Sequence, residues 1–156
     1  MEKEISFVMI KPGFLKYEKE IVARLGKVGK ITKRQCMRLN QEILNAHYAE
    51  HIGKGFFDEL CDYMKSGNVV GFQVEGEPGL IGRIRDVVGR NPLKKGDIRY
   101  DFGIRNEDGE LDKTKNVIHA SDKPEAGIAE CNRMFNEAQK YGVKIISRGF
   151  EQDCQF

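Results

Sequence analysis

The residues best placed to do chemistry lie in segment 116–122, where His119 precedes the start of a predicted helix. Asp122 is a typical N-cap residue, Glu125 follows three residues later as a capping-box partner, and Pro124 suits a first helical turn. The free N–H groups of a helix start favour an anion such as phosphate. An imidazole beside a phosphate can be a ligand, a general base or a nucleophile that carries the phosphoryl group, although many such histidines only satisfy local hydrogen bonds.

Three basic residues are placed where they could neutralise such a phosphate. Lys11 follows the first predicted strand, Arg85 lies near the end of a predicted helix, and Arg99 lies in a predicted loop. Guanidinium groups match phosphate oxygens in geometry and charge. The sequence has no Gly-x-x-x-x-Gly-Lys-Ser/Thr loop and no kinase-type glycine loop, so phosphoryl transfer would depend on histidine.

Composition limits the class of protein. The length of 156 residues predicts one domain over residues 1–156, and a net charge of +2 is too small to bind nucleic acid or a membrane by charge alone. Residues 1–4 lack the long apolar run expected of a signal peptide, and no stretch approaches the ~18 apolar residues expected of a membrane span. A chain of this length buries enough surface to need no cross-link. The four cysteines show neither a Cys-x-x-Cys pair nor the spacing of a zinc site, which predicts a cytoplasmic protein.

Hydrophobic patterns predict the elements that must position these groups. Residues 5–10 are a continuous apolar run, typical of a strand covered on both faces, and strands are also predicted at residues 31–39, 70–74 and 143–146. Helical spacing predicts helices that begin near residues 18, 40, 57, 78 and 123. The last of these is predicted to bury Ile128, Cys131, Phe135 and Ala138.

The order of these elements predicts the fold. Without the helix pair that begins at residue 40 and the polar segment 105–115, the order is βαββαβ, the ferredoxin-like α+β unit with four antiparallel strands and helices on one face. Segment 105–115 is predicted to be a surface loop or a short exposed hairpin turning at Asp108-Gly109. Phe56 falls outside the core stripe of its helix, which comprises Phe57, Leu60, Cys61 and Met64.

Motifs in family order run along nearly the whole chain, which resembles nucleoside diphosphate kinase. The two most specific are Ile98-Arg99-x-Asp101-Phe102-Gly103 and Asn116-Val117-Ile118-His119-Ala120-Ser121-Asp122. The others are Ile10-Lys11-Pro12, His47-Tyr48-x-x-His51, Phe56-Phe57-x-x-Leu60, Met64-x-Ser66-Gly67-x-Val69-Val70, Val74-Glu75-Gly76 and Arg85-x-x-x-Gly89.

The resemblance implies a catalytic set around His119. His119 would be phosphorylated by ATP and dephosphorylated by a nucleoside diphosphate in a ping-pong cycle. Glu130 would hydrogen-bond the imidazole, with Ser121 beside it, and would fix its tautomer.

The resemblance also implies how the nucleotide is held. Phe56 would stack on the base with Leu60 alongside, which accepts any base. Mg²⁺ would arrive with the nucleotide, without direct protein ligands, and Asp122 could reach it through water. The protein would be a homo-oligomer, a hexamer or a tetramer. The residues implied for nucleotide binding are Lys11, Tyr48, Phe56, Leu60, Arg85, Arg99 and Asn116.

Departures from the family pattern suggest alternatives. The loop between Gly89 and Arg99 is shorter than in many members, Ala120 replaces a common Gly, and segment 105–115 is an insertion. A non-catalytic nucleotide-binding or assembly homologue is therefore the second hypothesis, although the joint presence of His119 and its basic residues argues against it. An RNA-binding ferredoxin-like domain is disfavoured because no strand carries the paired aromatic residues of such a sheet.

Overall fold

The structure is a computed structural model that describes residues 2–150 and Cys154. This part of the chain contains five strands and six α-helices. The strands are β1 (Glu4–Ile10), β2 (Lys30–Arg38), β3 (Val69–Gly76), β4 (Ile118–Ala120) and β5 (Lys144–Arg148). The helices are α1 (Glu18–Leu25), α2 (Gln41–His47), α3 (Phe57–Lys65), α4 (Leu80–Val88), α5 (Ile98–Phe102) and α6 (Pro124–Cys131).

The strands form one antiparallel sheet in the order β4-β1-β3-β2-β5. The ferredoxin-like class predicted from the sequence is confirmed, but the sheet has five strands rather than four. The fourth strand of the βαββαβ unit is β4, which pairs with β1, whereas β5 extends the opposite edge beside β2. The prediction missed β4 because three residues are too few to show an alternating pattern.

Strand β1 is covered on both faces. Phe7 and Met9 are fully buried in the core cluster that includes α2, α3 and α6, while Val8 and Ile10 are fully buried in the cluster that includes α1 and α4. Helices α1 and α4 lie on one face, as predicted for the βαββαβ unit, while α6 and the inserted helix pair cover the other face. A strand whose successive side chains point to opposite faces can be apolar throughout only if both faces are covered.

Three of the predicted helices have the predicted features. In α2 the Asn40 side chain caps the helix by accepting a 3.0 Å hydrogen bond from the Ile43 amide. In α3 the predicted stripe is buried, and α4 ends at Gly89. The short helix α5 was not predicted, since its five residues lie in a stretch rich in Gly, Asp and Arg.

The last helix differs from its prediction at both ends. The N-cap position of α6 is Lys123 rather than Asp122, and no side chain caps it. Ile128 is 61% exposed, so its predicted burial was wrong. A π-helical turn over Asn132–Asn136 changes the periodicity, and Met134 rather than Phe135 becomes fully buried.

The insertion forms a short hairpin, which is one of the two forms predicted for it. Arg105 and Leu111 make an antiparallel bridge, and Gly109 takes a φ of +80° in the turn. The Asn106 side-chain oxygen accepts hydrogen bonds from the amides of Asp108 and Glu110. These local bonds explain how an almost wholly polar segment keeps a defined shape.

The structure contains a disulfide, although the sequence predicted that no cross-link is needed. Cys36 in β2 and Cys154 form a disulfide across 118 residues of sequence, and their Cα atoms lie 5.6 Å apart. Cys61 and Cys131 are free and buried. A pairing over such a distance gives no signal in the cysteine spacing. No helix among the described residues is long and apolar enough to cross a membrane.

Candidate active site

Strand β4 positions His119 at the edge of the sheet. His119 pairs with Met9 of β1, so its side chain lies on the face that also carries Phe7, whose ring centroid is 6.0 Å away. Val117, just before the strand, is fully buried with a φ of +79°, and its carbonyl accepts a 2.9 Å hydrogen bond from the Lys11 amide. A β-branched residue in this region is strained, and such strain is common beside functional residues.

Helix α6 brings a carboxylate against the imidazole. The Nε2 atom of His119 lies 3.0 Å from Oε1 of Glu130. The Ser121 hydroxyl donates to the same oxygen at 2.7 Å, and it accepts a 2.9 Å hydrogen bond from the Phe7 amide. Because an ionised carboxylate only accepts hydrogen bonds, Nε2 carries the proton of the neutral imidazole, and Nδ1 then keeps its lone pair.

The charge of Glu130 makes that tautomer stable. Burial acts to raise the pKa of Glu130, but the hydrogen bond and charge of His119, the charge of His47 and the Ser121 hydroxyl outweigh it and hold the pKa at about 2. The carboxylate is therefore ionised at any pH near neutrality.

Two arginines from the opposite face of the sheet reach the same edge. Arg99 donates a 2.8 Å hydrogen bond to the Ile118 carbonyl, and Arg85 lies 3.5 Å from the Ala120 carbonyl. Burial and the neighbouring Arg85 lower the pKa of Arg99. These contacts fix two guanidinium groups on either side of His119 along β4.

The histidine cavity is the space in front of these groups, with a volume of about 350 Å³. The described residues that line it are His47, Tyr48, Glu50, His51, Arg85, Arg99, His119, Ala120, Asp122, Lys123, Ala126 and Glu130. The His119 imidazole, two arginines and a lysine therefore open onto one small space. Such a set of donors suits an anion with several oxygens.

Lys11 lies behind this edge and is only 6% exposed. Its ammonium donates to the Asn116 side-chain oxygen at 2.6 Å and to the Thr114 carbonyl at 3.3 Å. Burial, followed by the charge of Arg99, lowers the pKa of Lys11 to about 7, although Asp112 opposes the shift. A buried ammonium with neutral partners would be stabilised by an incoming anion.

The inserted hairpin builds a second, larger space, which we name the loop cavity. It has a volume of about 740 Å³ and shares Arg85 and Arg99 with the histidine cavity. Its wall includes Asn116 and residues 109–113 of the insertion. The insertion therefore extends the site rather than closing its entrance.

His47 is the residue at this site to which the sequence analysis assigned no role. Its ring centroid lies 4.8 Å from that of His119, and its Nε2 atom is buried without a hydrogen-bond partner. Burial, with the charge of His119, lowers the pKa of His47 to about 3, so the ring is neutral. On its other side, Nδ1 lies 3.4 Å from the Arg133 guanidinium. The only signal in the sequence is its place in the His-Tyr-x-x-His motif.

The remaining predicted site residues occupy different surroundings. Tyr48 is buried and lines the histidine cavity, and Asp122 is exposed at its rim. Phe56 is 48% exposed, and its ring centroid lies 5.2 Å from that of His51. Leu60 is buried in the core cluster that also contains Tyr48, and it lines neither cavity. The fold thus gathers the predicted phosphate-binding and catalytic groups, while it places Leu60 in the core.

Comparisons with known proteins identify the family of the chain. Residues 4–140 match the family model described as nucleoside diphosphate kinase. The chain is 36% identical over 137 residues to a nucleoside diphosphate kinase of Listeria monocytogenes serotype 4b, covering 85% of this chain and 88% of that one. It is 39% identical over 140 residues to the Archaeoglobus fulgidus protein of the same name, covering 86% and 87%.

A solved structure has the same fold. The nucleoside diphosphate kinase of Aquifex aeolicus superposes with a TM-score of 0.76 at 30% sequence identity, covering 86% of this chain and 96% of that one. The Encephalitozoon cuniculi enzyme superposes with a TM-score of 0.73 at 28% identity, covering 85% and 88%.

Proposed function

The chain belongs to the nucleoside diphosphate kinase family, a family of phosphotransferases, and from this premise we propose that it transfers the γ-phosphate of ATP to nucleoside diphosphates through a phosphohistidine at His119. One observation carries the proposal. The hydrogen bond from Nε2 to Glu130 leaves Nδ1 of His119 as an unprotonated nucleophile in a cavity lined by Arg85 and Arg99. The whole chain would act as one domain of this type in the cytoplasm, where ATP and nucleoside diphosphates are supplied.

The reaction has two half-reactions. In the first, Nδ1 attacks the γ-phosphorus of ATP, the N–P bond forms as the bond to the β-γ bridging oxygen breaks, and ADP leaves. In the second, a terminal oxygen of a nucleoside diphosphate attacks the phosphohistidine and the N–P bond breaks. Each step needs only in-line positioning and stabilisation of charge, which fixed donors supply.

The protein groups divide this work. The two arginines, which line the histidine cavity, would face the transferred phosphoryl group, and Lys11, held by Asn116, would balance the charge of the remaining phosphates. Glu130 stabilises the positive charge that the imidazole ring acquires as the N–P bond forms. Ser121 keeps the carboxylate in place from the opposite side.

Magnesium fits this site as a companion of the nucleotide. Mg²⁺ prefers oxygen ligands, and the exposed carboxylate of Asp122 at the rim of the histidine cavity is available to contact its water shell. Glu130 lies beside two imidazoles, which suit Mg²⁺ less well than the oxygen ligands it prefers, so Asp122 is the better contact. When bound, Mg²⁺ neutralises charge on the phosphate oxygens and fixes their geometry.

The test is whether His119 is phosphorylated. Incubation with ATP and Mg²⁺ should add one acid-labile phosphate to the intact mass, and added nucleoside diphosphate should remove it. The His119→Ala variant should lose the phosphoenzyme and both half-reactions while it still binds nucleotide, because the phosphates are held by the arginines and Lys11.

Matched variants complete the test. His51→Ala and His47→Ala should still form the phosphoenzyme, since neither ring is hydrogen-bonded to Glu130. A label that maps to either of these histidines, or ordinary turnover by His119→Ala, would show that the mechanism is wrong. Nucleotide binding by the wild type without any phosphoenzyme would instead support the non-catalytic homologue.

A further inference from the structure

A second chemistry is available to His119 because of its neighbours. One donor atom each from His47, His119 and Glu130 lies within 4.8 Å of the other two. The three residues come from α2, β4 and α6, so the group exists only in the folded chain. It combines two imidazoles with one carboxylate.

This donor set is typical of a metal site with an open position. Zinc takes His nitrogen and carboxylate oxygen at about 2.0–2.2 Å, often with three protein ligands and one water. Donors around a tetrahedral zinc are separated by about 3.4 Å, from the same bond lengths. The 3.0 Å contact of His119 with Glu130 is already that short, and only His47 must move inward.

His47 has no other evident partner for the nitrogen that would bind. Its Nε2 atom is buried and unpartnered, whereas its Nδ1 lies against Arg133. A buried polar atom without a hydrogen bond destabilises the folded chain. A metal ion reached through the histidine cavity would satisfy this atom and stay in contact with solvent.

From this geometry we propose that His47, His119 and Glu130 form a Zn²⁺-binding site that switches the nucleophile off. Imidazole donors select zinc over Mg²⁺, which prefers oxygen ligands. If zinc takes Nε2 of His119, the imidazole proton moves to Nδ1 and the attacking lone pair is lost. If zinc takes Nδ1, it occupies the attacking atom directly.

Zinc and the phosphoryl group therefore exclude each other. The metal-binding part of the proposal is independent of the enzyme activity, whereas the inhibition rests on the function proposed above. Saturating Mg²⁺ should not displace the zinc, because the two ions prefer different ligands.

The first experiment measures binding. Titration of the nucleotide-free, unphosphorylated chain with Zn²⁺ in the presence of Mg²⁺ should show one ion bound per chain. His47→Gln should weaken this binding at least tenfold, and His51→Gln, which changes the neighbouring histidine outside the cluster, should not. A Cys61→Ser/Cys131→Ser variant should also keep the ion, and its loss there would assign zinc to thiols and overturn the proposal.

A second measurement needs no variant. The chain has three histidines, so NMR of the imidazole signals should show zinc shifting His47 and His119 while His51 is unchanged. Wild-type protein that binds no zinc, or a zinc-induced shift at His51 alone, would overturn the site.

The two proposals fail separately. Zinc should slow phosphoenzyme formation in the wild type, and a chelator should restore it, while His47→Gln should form phosphoenzyme with little zinc sensitivity. Stoichiometric zinc binding by a protein that never becomes phosphorylated would remove the proposed function and keep the metal site. A phosphoenzyme that forms at the same rate with zinc present would remove the inhibitory site and keep the function.

Discussion

At the scale of single residues, one hydrogen bond decides which nitrogen of the neutral His119 ring carries the proton. Glu130 accepts from Nε2, and the Ser121 hydroxyl donates to the same carboxylate oxygen, so Nδ1 is the nitrogen that we propose as the nucleophile. A carboxylate with a pKa of about 2 keeps this role across the physiological pH range. The tautomer is therefore a property of the pair and not of histidine alone.

Phe56 gives the first prediction at this scale. Its ring is half-exposed beside His51, which lines the histidine cavity, so it can stack on a base. Phe56→Ala should weaken nucleotide binding by about 1–3 kcal/mol, by a similar amount for every base, because every base has a π-face. Calorimetric titration with ADP, GDP, CDP and UDP measures this.

The control for Phe56 is Phe150→Ala, which removes another exposed aromatic ring, one that lies at a cavity beside β2. Its nucleotide affinity should equal that of the wild type. A loss confined to one base, or no loss in Phe56→Ala, would count against stacking on this ring and would favour the loop cavity as the place of the base.

Lys11 gives a pH prediction. With a pKa of about 7, its side chain is charged below neutrality, whereas above pH 7 the free protein must take up a proton to bind a phosphate with an ammonium. ATP affinity should therefore fall as the pH rises from about 7 towards 10, by up to about tenfold per pH unit. Binding measured across this range tests the direction.

Two lysine variants separate this effect from general charge. Lys11→Met should bind ATP more weakly at pH 7 and show a flatter pH dependence. Lys140→Met removes an exposed charge and should follow the wild type. An affinity that stays constant from pH 7 to pH 9 in the wild type would contradict the assignment.

At the scale of elements, the site depends on how closely α6 approaches β1. A Cβ atom built on Gly127 would overlap the Ile5 carbonyl oxygen, so only glycine allows this approach. Glu130 lies one turn further along α6, and its position relative to His119 follows from this packing. Helix α6 is therefore a positioning element as well as part of the core.

Gly127→Ala should push α6 away from the sheet. Overpacking of this kind costs about 1–3 kcal/mol, and the phosphoenzyme should form more slowly because Glu130 moves with the helix. Urea unfolding and the rate of phosphorylation measure the two effects.

Gly82→Ala is the matched control, since it is also a glycine within a helix. The nearest atom to a Cβ there is an Arg90 side-chain nitrogen 4.0 Å away. This variant should gain up to about 1 kcal/mol of stability from helix propensity. Equal stability of the two variants would show that the contact of α6 with β1 is not as close as described.

At the scale of the whole molecule, the shortened loop of residues 90–98 reduces the surface available for contact between subunits. Its end is tied to its own subunit, because Arg24 of α1 donates a 2.9 Å hydrogen bond to the Gly96 carbonyl and forms a 2.7 Å ion pair with Asp101. We propose that the protein is a homo-oligomer with less contact area from this loop than members with a longer one.

The prediction is an oligomer that dissociates more readily on dilution. Light scattering should be measured over a range of protein concentrations and of mild urea concentrations. Smaller species should appear at a higher protein concentration, and at a lower urea concentration, than in a family member with the longer loop. A hexamer that resists both treatments equally well would contradict this prediction.

The sequence by itself determined the family and the fold class, and it predicted the residues of the candidate site. Its signals were local: the apolar run of β1, the buried stripe of α3, the Asn40 cap and the motif around His119. These features arise from residues close in sequence, where helix and strand periodicity and capping chemistry act directly.

The tertiary structure alone decided which groups meet. The fifth strand, the cover on both faces of the sheet, the approach of His47 to His119, and the Cys36–Cys154 bond each join residues far apart in the chain. The exposure of Ile128 follows from the packing of α6 against β1 and the π-helical turn, which the helical spacing of its apolar residues does not reveal. Such contacts depend on how complete elements pack, and no pattern within a single element contains that information.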